Sequence, residues 1–171
     1  MQTQKPINSF ADLVSVFFGL GFLPKAPGTW GSLPGIPLAW CCHLFCQSFS
    51  SNKSDFLSGS GLLLAILILA LLSWLATWCI KQTEKAWNSH DDKSIVVDEV
   101  IGQMFALVWF QPGVDSAILG FVLFRLFDIF KPGPIGYVDK NIATPFGTLL
   151  DDIIAGIFAG LSMLVINLFW K

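Results

Sequence analysis

Phe124-Arg125-Leu126-Phe127-Asp128-Ile129-Phe130-Lys131-Pro132-Gly133-Pro134 and, further on, Gly147-Thr148-Leu149-Leu150-Asp151-Asp152-Ile153-Ile154-Ala155-Gly156 are the two halves of the stretch on which the fold turns. An apolar helix ends in charge, Pro and Gly break the chain, and two adjacent carboxylates then open a second long apolar helix. A chain with few charges keeps them for a reason, because an ionised side chain at membrane depth is costly and pairs or lines a site. Acids gathered with Arg and Lys at helix ends predict a metal-and-phosphate site at a membrane surface.

The rest of the composition agrees. The chain has 171 residues, 54% of them hydrophobic and 13% charged, whereas soluble domains carry about 25% charge. We read residues 1–171 as a single integral-membrane domain of all-α class. A formal charge of −2, with no Lys/Arg run, removes the basis for binding a polynucleotide. Four cysteines, Cys41, Cys42, Cys46 and Cys79, lack the paired spacing of a zinc site and read as buried thiols, and His43 reads as a packed histidine. Lys5 precedes an apolar run, but Pro24-Lys25-Ala26-Pro27-Gly28 after it is no signal-peptidase site, so the N-terminal segment reads as retained.

Hydropathy predicts about 4–5 membrane-embedded helices, since about 20 apolar residues are needed to span. Residues 10–23 fall short of that length and suggest a short N-terminal helix, interfacial or packed across the bundle. Two prolines and two glycines in 24–32 argue against regular helix there and leave backbone amides free for a ligand; a plain turn explains them equally well. Residues 33–49 are a candidate span, with Pro34 and Pro37 in its first turns, and 48–60 form a polar loop. The clearest span is 62–80, with Trp74 and Trp78 as interface anchors. Residues 81–94 read as an aqueous connection. A helical hairpin follows, with one arm from 95 to Gln111, a turn at Pro112-Gly113 and a second arm over 117–130; it either spans tilted or re-enters. Residues 131–150 read as a broken loop, and a last span runs to Trp170 with Asp151 or Asp152 in its first turn. Small residues within it, Ala155, Gly156, Ala159 and Gly160, permit close packing without fixing an oligomeric state.

With the N-terminus cytoplasmic, Lys5, Lys25, Lys81, Lys85, Lys93, Arg125, Lys131 and Lys140 gather on the cytoplasmic side, and only Lys53 and Lys171 fall outside. The same topology brings Asp98, Glu99, Asp128, Asp151 and Asp152 to that face. Capping explains one acid of each adjacent pair, because helix N-termini favour negative charge. It does not explain both members of two pairs together with Asp128. Mg²⁺ compensates such a cluster while keeping positions for water and substrate phosphate. Arg125 and Lys131 then suit the phosphate, although an isolated Arg125–Asp128 pair is the plainer reading of that helix end.

Four ordered motifs are similar to those of the phosphatidylglycerophosphatase A family: 19–32 (Gly-Leu-Gly-Phe-Leu-Pro-Lys-Ala-Pro-Gly-Thr-Trp-Gly-Ser), Val97-Asp98-Glu99, residues 124–132 and residues 150–156. The resemblance implies Mg²⁺-dependent removal of the terminal phosphate from phosphatidylglycerophosphate in a bacterial inner membrane, with the active site on the cytoplasmic face. It carries over Lys25, Thr29, Arg125 and Lys131 as phosphate contacts and Asp98, Glu99, Asp128, Asp151 and Asp152 as the acidic set. Asp98, Glu99 and Asp152 are the expected metal ligands, with Asp151 or Asp128 on the attacking water. Thr144-Pro145-Phe146-Gly147 departs from the glycine pair that relatives often place before the acidic helix. The competing reading is a small ion transporter, which would spread charge through the depth of its spans; here the charge gathers at one end.

Overall fold

In the computed structural model, which describes residues 5–50 and 59–169, every regular element among those residues is helical. Lys53, Lys171 and Trp170 lie outside the described residues. At the centre is α4 (Val97–Leu107), and nearly all of it is buried, including the polar Asp98 and Gln103. It lies between α2 (Pro27–Ser48) and α7 (Pro145–Phe169). Eleven residues rise only about 16 Å at about 1.5 Å each, half of a ~30 Å hydrocarbon core. The first arm of the expected hairpin is therefore too short to cross, ending at Leu107 and not Gln111. The second arm, α5, runs from Val114 to Phe130.

Among the described residues two helices, α3 (Ser60–Trp87) and α7, are long and apolar enough to cross a membrane. Leu63, Leu67, Leu71 and Trp74 of α3 and Leu161, Val165 and Leu168 of α7 are exposed. An apolar exterior of this kind on an all-helical chain suits a bilayer environment. The segment read as an aqueous connection from residue 81 is helical as far as Trp87, because α3 continues until Asn88 adopts a left-handed conformation at φ 47°.

Close approach at the centre depends on glycine. A Cβ on Gly156 of α7 would lie 2.1 Å from the Gly102 carbonyl oxygen of α4. That distance is far inside van der Waals contact, so the two backbones touch there as small-residue packing allows.

The N-terminal segment is a clamp packed against α3 and not one continuous helix over residues 10–23. Its α1 spans only Phe10–Ser15, opened by a capping box in which Ser9 Oγ accepts from Asp12 N and the Asp12 carboxylate accepts from Ser9 N. Positive φ at Phe17, Phe18 and Gly19 ends it and turns the chain into a single 3-10 turn at Leu20–Phe22. Lys5 Nζ donates to Asp92 at 2.6 Å, Trp87 Nε1 to the Pro6 carbonyl at 3.2 Å, and Thr83 Oγ1 to Ser15 Oγ at 3.0 Å. These bonds tie the start of the chain to the end of α3 and the loop after it.

Two Pro-rich segments expected to be irregular are helical. Pro27 is the first residue of α2 and follows left-handed Lys25 and Ala26, so residues 29–32 are helix. Proline suits that position because the first N–H of a helix has no intrahelical partner to lose. Residues 131–150 likewise contain α6 (Pro134–Asn141) and the start of α7 at Pro145. Thr144 Oγ1 accepts from Gly147 N at 3.0 Å and caps α7. Asp151 and Asp152 consequently sit in the second turn, with no acid in the first. Capping does not account for either of them.

Candidate active site

Three helices deliver charge to one end of the bundle. Asp98 and Glu99 stand in the first turn of α4, Arg125 and Asp128 one turn apart near the end of α5, and Asp151 and Asp152 one turn into α7. Lys131 ends α5 in a left-handed conformation at φ 44°, which swings its side chain back over the acids. These residues line a cavity of about 490 Å³, closed on its other sides by Ala26, Pro27 and Gly28 and by the loop that carries His90 and Lys93.

Within it, one ligand atom each from Asp98, Glu99 and Asp152 lies within 4.8 Å of the others. Asp98 and Asp152 are buried, and a carboxylate oxygen of Asp152 has no hydrogen-bond partner. Buried carboxylate oxygens left unpaired are costly, and a hard cation with oxygen ligands satisfies them. The donor set fits Mg²⁺.

Each neighbouring acid is held by a cation. Arg125 Nη1 donates to Asp128 Oδ2 at 2.5 Å and reaches Ser32 Oγ at 3.5 Å, and Ser32 in turn donates to the Gly28 carbonyl at 2.7 Å. Lys131 Nζ donates to Asp139 Oδ1 at 2.6 Å and to Asp151 Oδ2, leaving Asp151 Oδ1 unpartnered. Burial works against charge on Lys131, but the bonds to Asp139 and Asp151 outweigh it and hold the ammonium pKa above its ordinary value. Burial, reinforced by the charge of Glu99, raises the carboxyl of Asp98 well above the usual range. Burial also drives Glu99 up to about 8, aided by Asp152 and Asp128 and opposed by Asp98 and Arg125. Without a cation the cluster holds protons.

Asp98, Glu99, Arg125, Asp128, Lys131, Asp151 and Asp152 thus share one cavity. Lys25 is exposed and Thr29 half-buried, and neither lines it; they flank the Ala26–Gly28 wall that does. The sequence reading did not assign Asp139, Ser32 or Gly28 to the site. Asp139 lies on α6, one to two turns past its start at Pro134, a start that the reading of 131–150 as a loop concealed. Gly28 matters through space alone, since a Cβ there would lie 2.2 Å from Glu99 Oε1.

An all-α chain with buried carboxylates converging on one point, and an Arg and a Lys beside them, has the makings of a metal-assisted phosphoryl-transfer centre. The family model described as phosphatidylglycerophosphatase A matches residues 13–167. The chain is 35% identical over 159 residues to phosphatidylglycerophosphatase A of Haemophilus influenzae, covering 92% of this chain and 88% of that one. It is 33% identical over 161 residues to the Escherichia coli protein of the same name, covering 92% and 84%. A Bacteroides thetaiotaomicron protein provisionally named phosphatidylinositol-3-phosphatase is 30% identical over 151 residues, covering 86% and 87%. No solved structure matches. The chain belongs to the phosphatidylglycerophosphatase A family.

Proposed function

We propose that this chain is a membrane-embedded lipid phosphatase that hydrolyses the terminal phosphomonoester of phosphatidylglycerophosphate to phosphatidylglycerol and phosphate. The observation that carries the reading is the convergence of Asp98, Glu99 and Asp152 within 4.8 Å, beside Arg125 and Lys131 in the same cavity. Those three acids would hold Mg²⁺. When bound, the cation supplies Lewis acidity at a phosphoryl oxygen and neutralises developing charge.

The chain's own groups do the rest. Arg125 presents a planar fork to the phosphate oxygens, and Lys131 adds a second charge. Asp151 is fixed through Oδ2 by Lys131, so Oδ1 is available to orient a water and accept its proton. The water oxygen forms the new bond to phosphorus, the bond to the glycerol oxygen breaks, and that oxygen takes a proton from solvent. Asp128 keeps Arg125 in place. Lys25 and Thr29 contact the headgroup as it enters past the Ala26–Gly28 wall.

A bacterial inner membrane, with the cavity facing the cytoplasm, is the setting this reading assigns. The cavity end of the bundle also carries Lys5, Lys25, Lys93, Lys131 and Lys140, which is the charge bias expected of a cytoplasmic face. The test is phosphate release by purified protein in detergent, with Mg²⁺ or with chelator. Phosphatidylglycerophosphate, phosphatidic acid and phosphatidylinositol 3-phosphate serve as parallel substrates. Mg²⁺-dependent release that favours the first lipid is expected and should vanish in Asp152→Asn. Release unaffected by chelator, or a trapped aspartyl-phosphate, would overturn the mechanism.

A further inference from the structure

Gln103 is fully buried in α4, yet neither its amide nitrogen nor its amide oxygen has a hydrogen-bond partner. Buried amides are almost always paired, and one with both ends unmatched needs an explanation. Four residues before it on the same helix is Glu99, so the two side chains share a face. Both face α2: a Cβ on Gly28 would meet Glu99 Oε1 at 2.2 Å, and one on Gly35 would meet Gln103 Cβ at 2.6 Å. Side chains on a helix lean toward its N-terminus, which aims the Gln103 amide up the groove toward Glu99. There Glu99 Oε2 is also buried without a partner. An unpaired donor and an unpaired acceptor therefore project from positions about 6 Å apart along the helix axis, a spacing that suits one water making two hydrogen bonds of about 2.8 Å.

We infer that Gln103 is a positioning residue: through one buried water it holds Glu99 Oε2 and so fixes the orientation of the carboxylate that Glu99 turns to the cation. This rests on the metal-ligand reading proposed above. Groups that orient a metal ligand in this way typically change affinity 10–100-fold when removed. A residue serving only to fill space would change stability instead.

The experiment compares wild type with Gln103→Met, which keeps length and volume but not the amide. Mg²⁺ affinity is measured by calorimetry on purified protein in detergent, and thermal unfolding on the metal-free form. We expect Mg²⁺ binding to weaken about 10-fold or more, with metal-free unfolding little changed, because Met keeps the packing and replaces a buried polar group with an apolar one. Affinity within twofold of wild type overturns the inference, whatever happens to unfolding. If wild type itself binds no Mg²⁺, the metal reading falls and this inference with it. If wild type binds and the variant binds equally, only the role of Gln103 is lost. Should Gln103→Met fail to fold, wild-type protein labelled with ¹⁵N-glutamine decides. The solvent-protected side-chain amide of Gln103 must shift on Mg²⁺ addition and must not shift in Asp152→Asn; no shift in wild type refutes the proposal.

Discussion

Gly28→Ala is the sharpest single test of the wall between α2 and the acids. The added methyl would stand 2.2 Å from Glu99 Oε1 and 3.1 Å from Arg125 Nη1, where ordinary contact begins near 3.4 Å. Since Gly28 is in the first turn of α2, with Pro27 before it, the backbone gains from Ala and does not suffer. The nearest atom is the tip of a flexible side chain, so the strain is relieved by moving the Glu99 carboxylate roughly 1 Å. A misplacement of that size in a catalytic group costs about 100-fold in rate, or about 2.7 kcal/mol of transition-state stabilisation. Gly156→Ala is the contrasting case, because its methyl would meet the Gly102 carbonyl at 2.1 Å and only a separation of α4 from α7 relieves it. Phosphate release, Mg²⁺ affinity and thermal unfolding of both variants in detergent make the comparison. Gly28→Ala should lose about two orders of magnitude in activity with little change in unfolding, and Gly156→Ala should unfold early. Gly28→Ala with activity within about threefold of wild type would refute the placement of Glu99 as a metal ligand against this wall.

With its carboxyl near 8 against an ordinary 4.5, chiefly through burial, Glu99 keeps a proton in the folded metal-free protein that the unfolded chain releases. Metal-free stability should therefore be full at low pH, fall as pH rises from about 4.5 toward about 8, and level off above that; a flat or rising profile in denaturant titrations counts against it. Mg²⁺ must displace the same proton, so its affinity should rise with pH up to about 8. Arg125→Lys keeps the charge but loses the planar fork presented to the phosphate, and kcat/KM should fall about 10-fold or more with Mg²⁺ affinity preserved; unchanged kinetics would remove Arg125 from phosphate binding. Lys131→Met frees Asp151 and leaves it buried, so kcat should drop more than KM rises. A pure KM effect would assign Lys131 to binding alone.

The helical class was legible because the long apolar run at 62–80 and the Asp151-Asp152 helix have few other solutions. So was the gathering of Asp98, Glu99, Asp128, Asp151 and Asp152 at one cavity, since each acid pair announced itself by adjacency in a chain with little charge to spare. Helix starts were harder. Pro27, Pro134 and Pro145 all begin helices, and read as breakers they hid α6 and displaced Asp151 and Asp152 by a turn. Proline reports a boundary without saying on which side the helix lies. Burial of α4 was not readable either, because an 11-residue apolar segment looks the same in a core as in a re-entrant arm. Gly28 and Gln103 act through distances between elements, which no local pattern encodes.

Eight side chains lining the cavity are carboxylates and three are Lys or Arg. Two of those three, Arg125 and Lys131, are already engaged by carboxylates of the chain. A phosphate dianion approaching this surface alone meets net repulsion, and a divalent cation alone meets a cluster that prefers to stay protonated. Together they cancel. Lipid and Mg²⁺ should accordingly raise each other's affinity by one common factor, as linkage requires of any two ligands that share a free-energy coupling. Titrating each in the presence and absence of the other would give that factor twice, from opposite sides of the cycle.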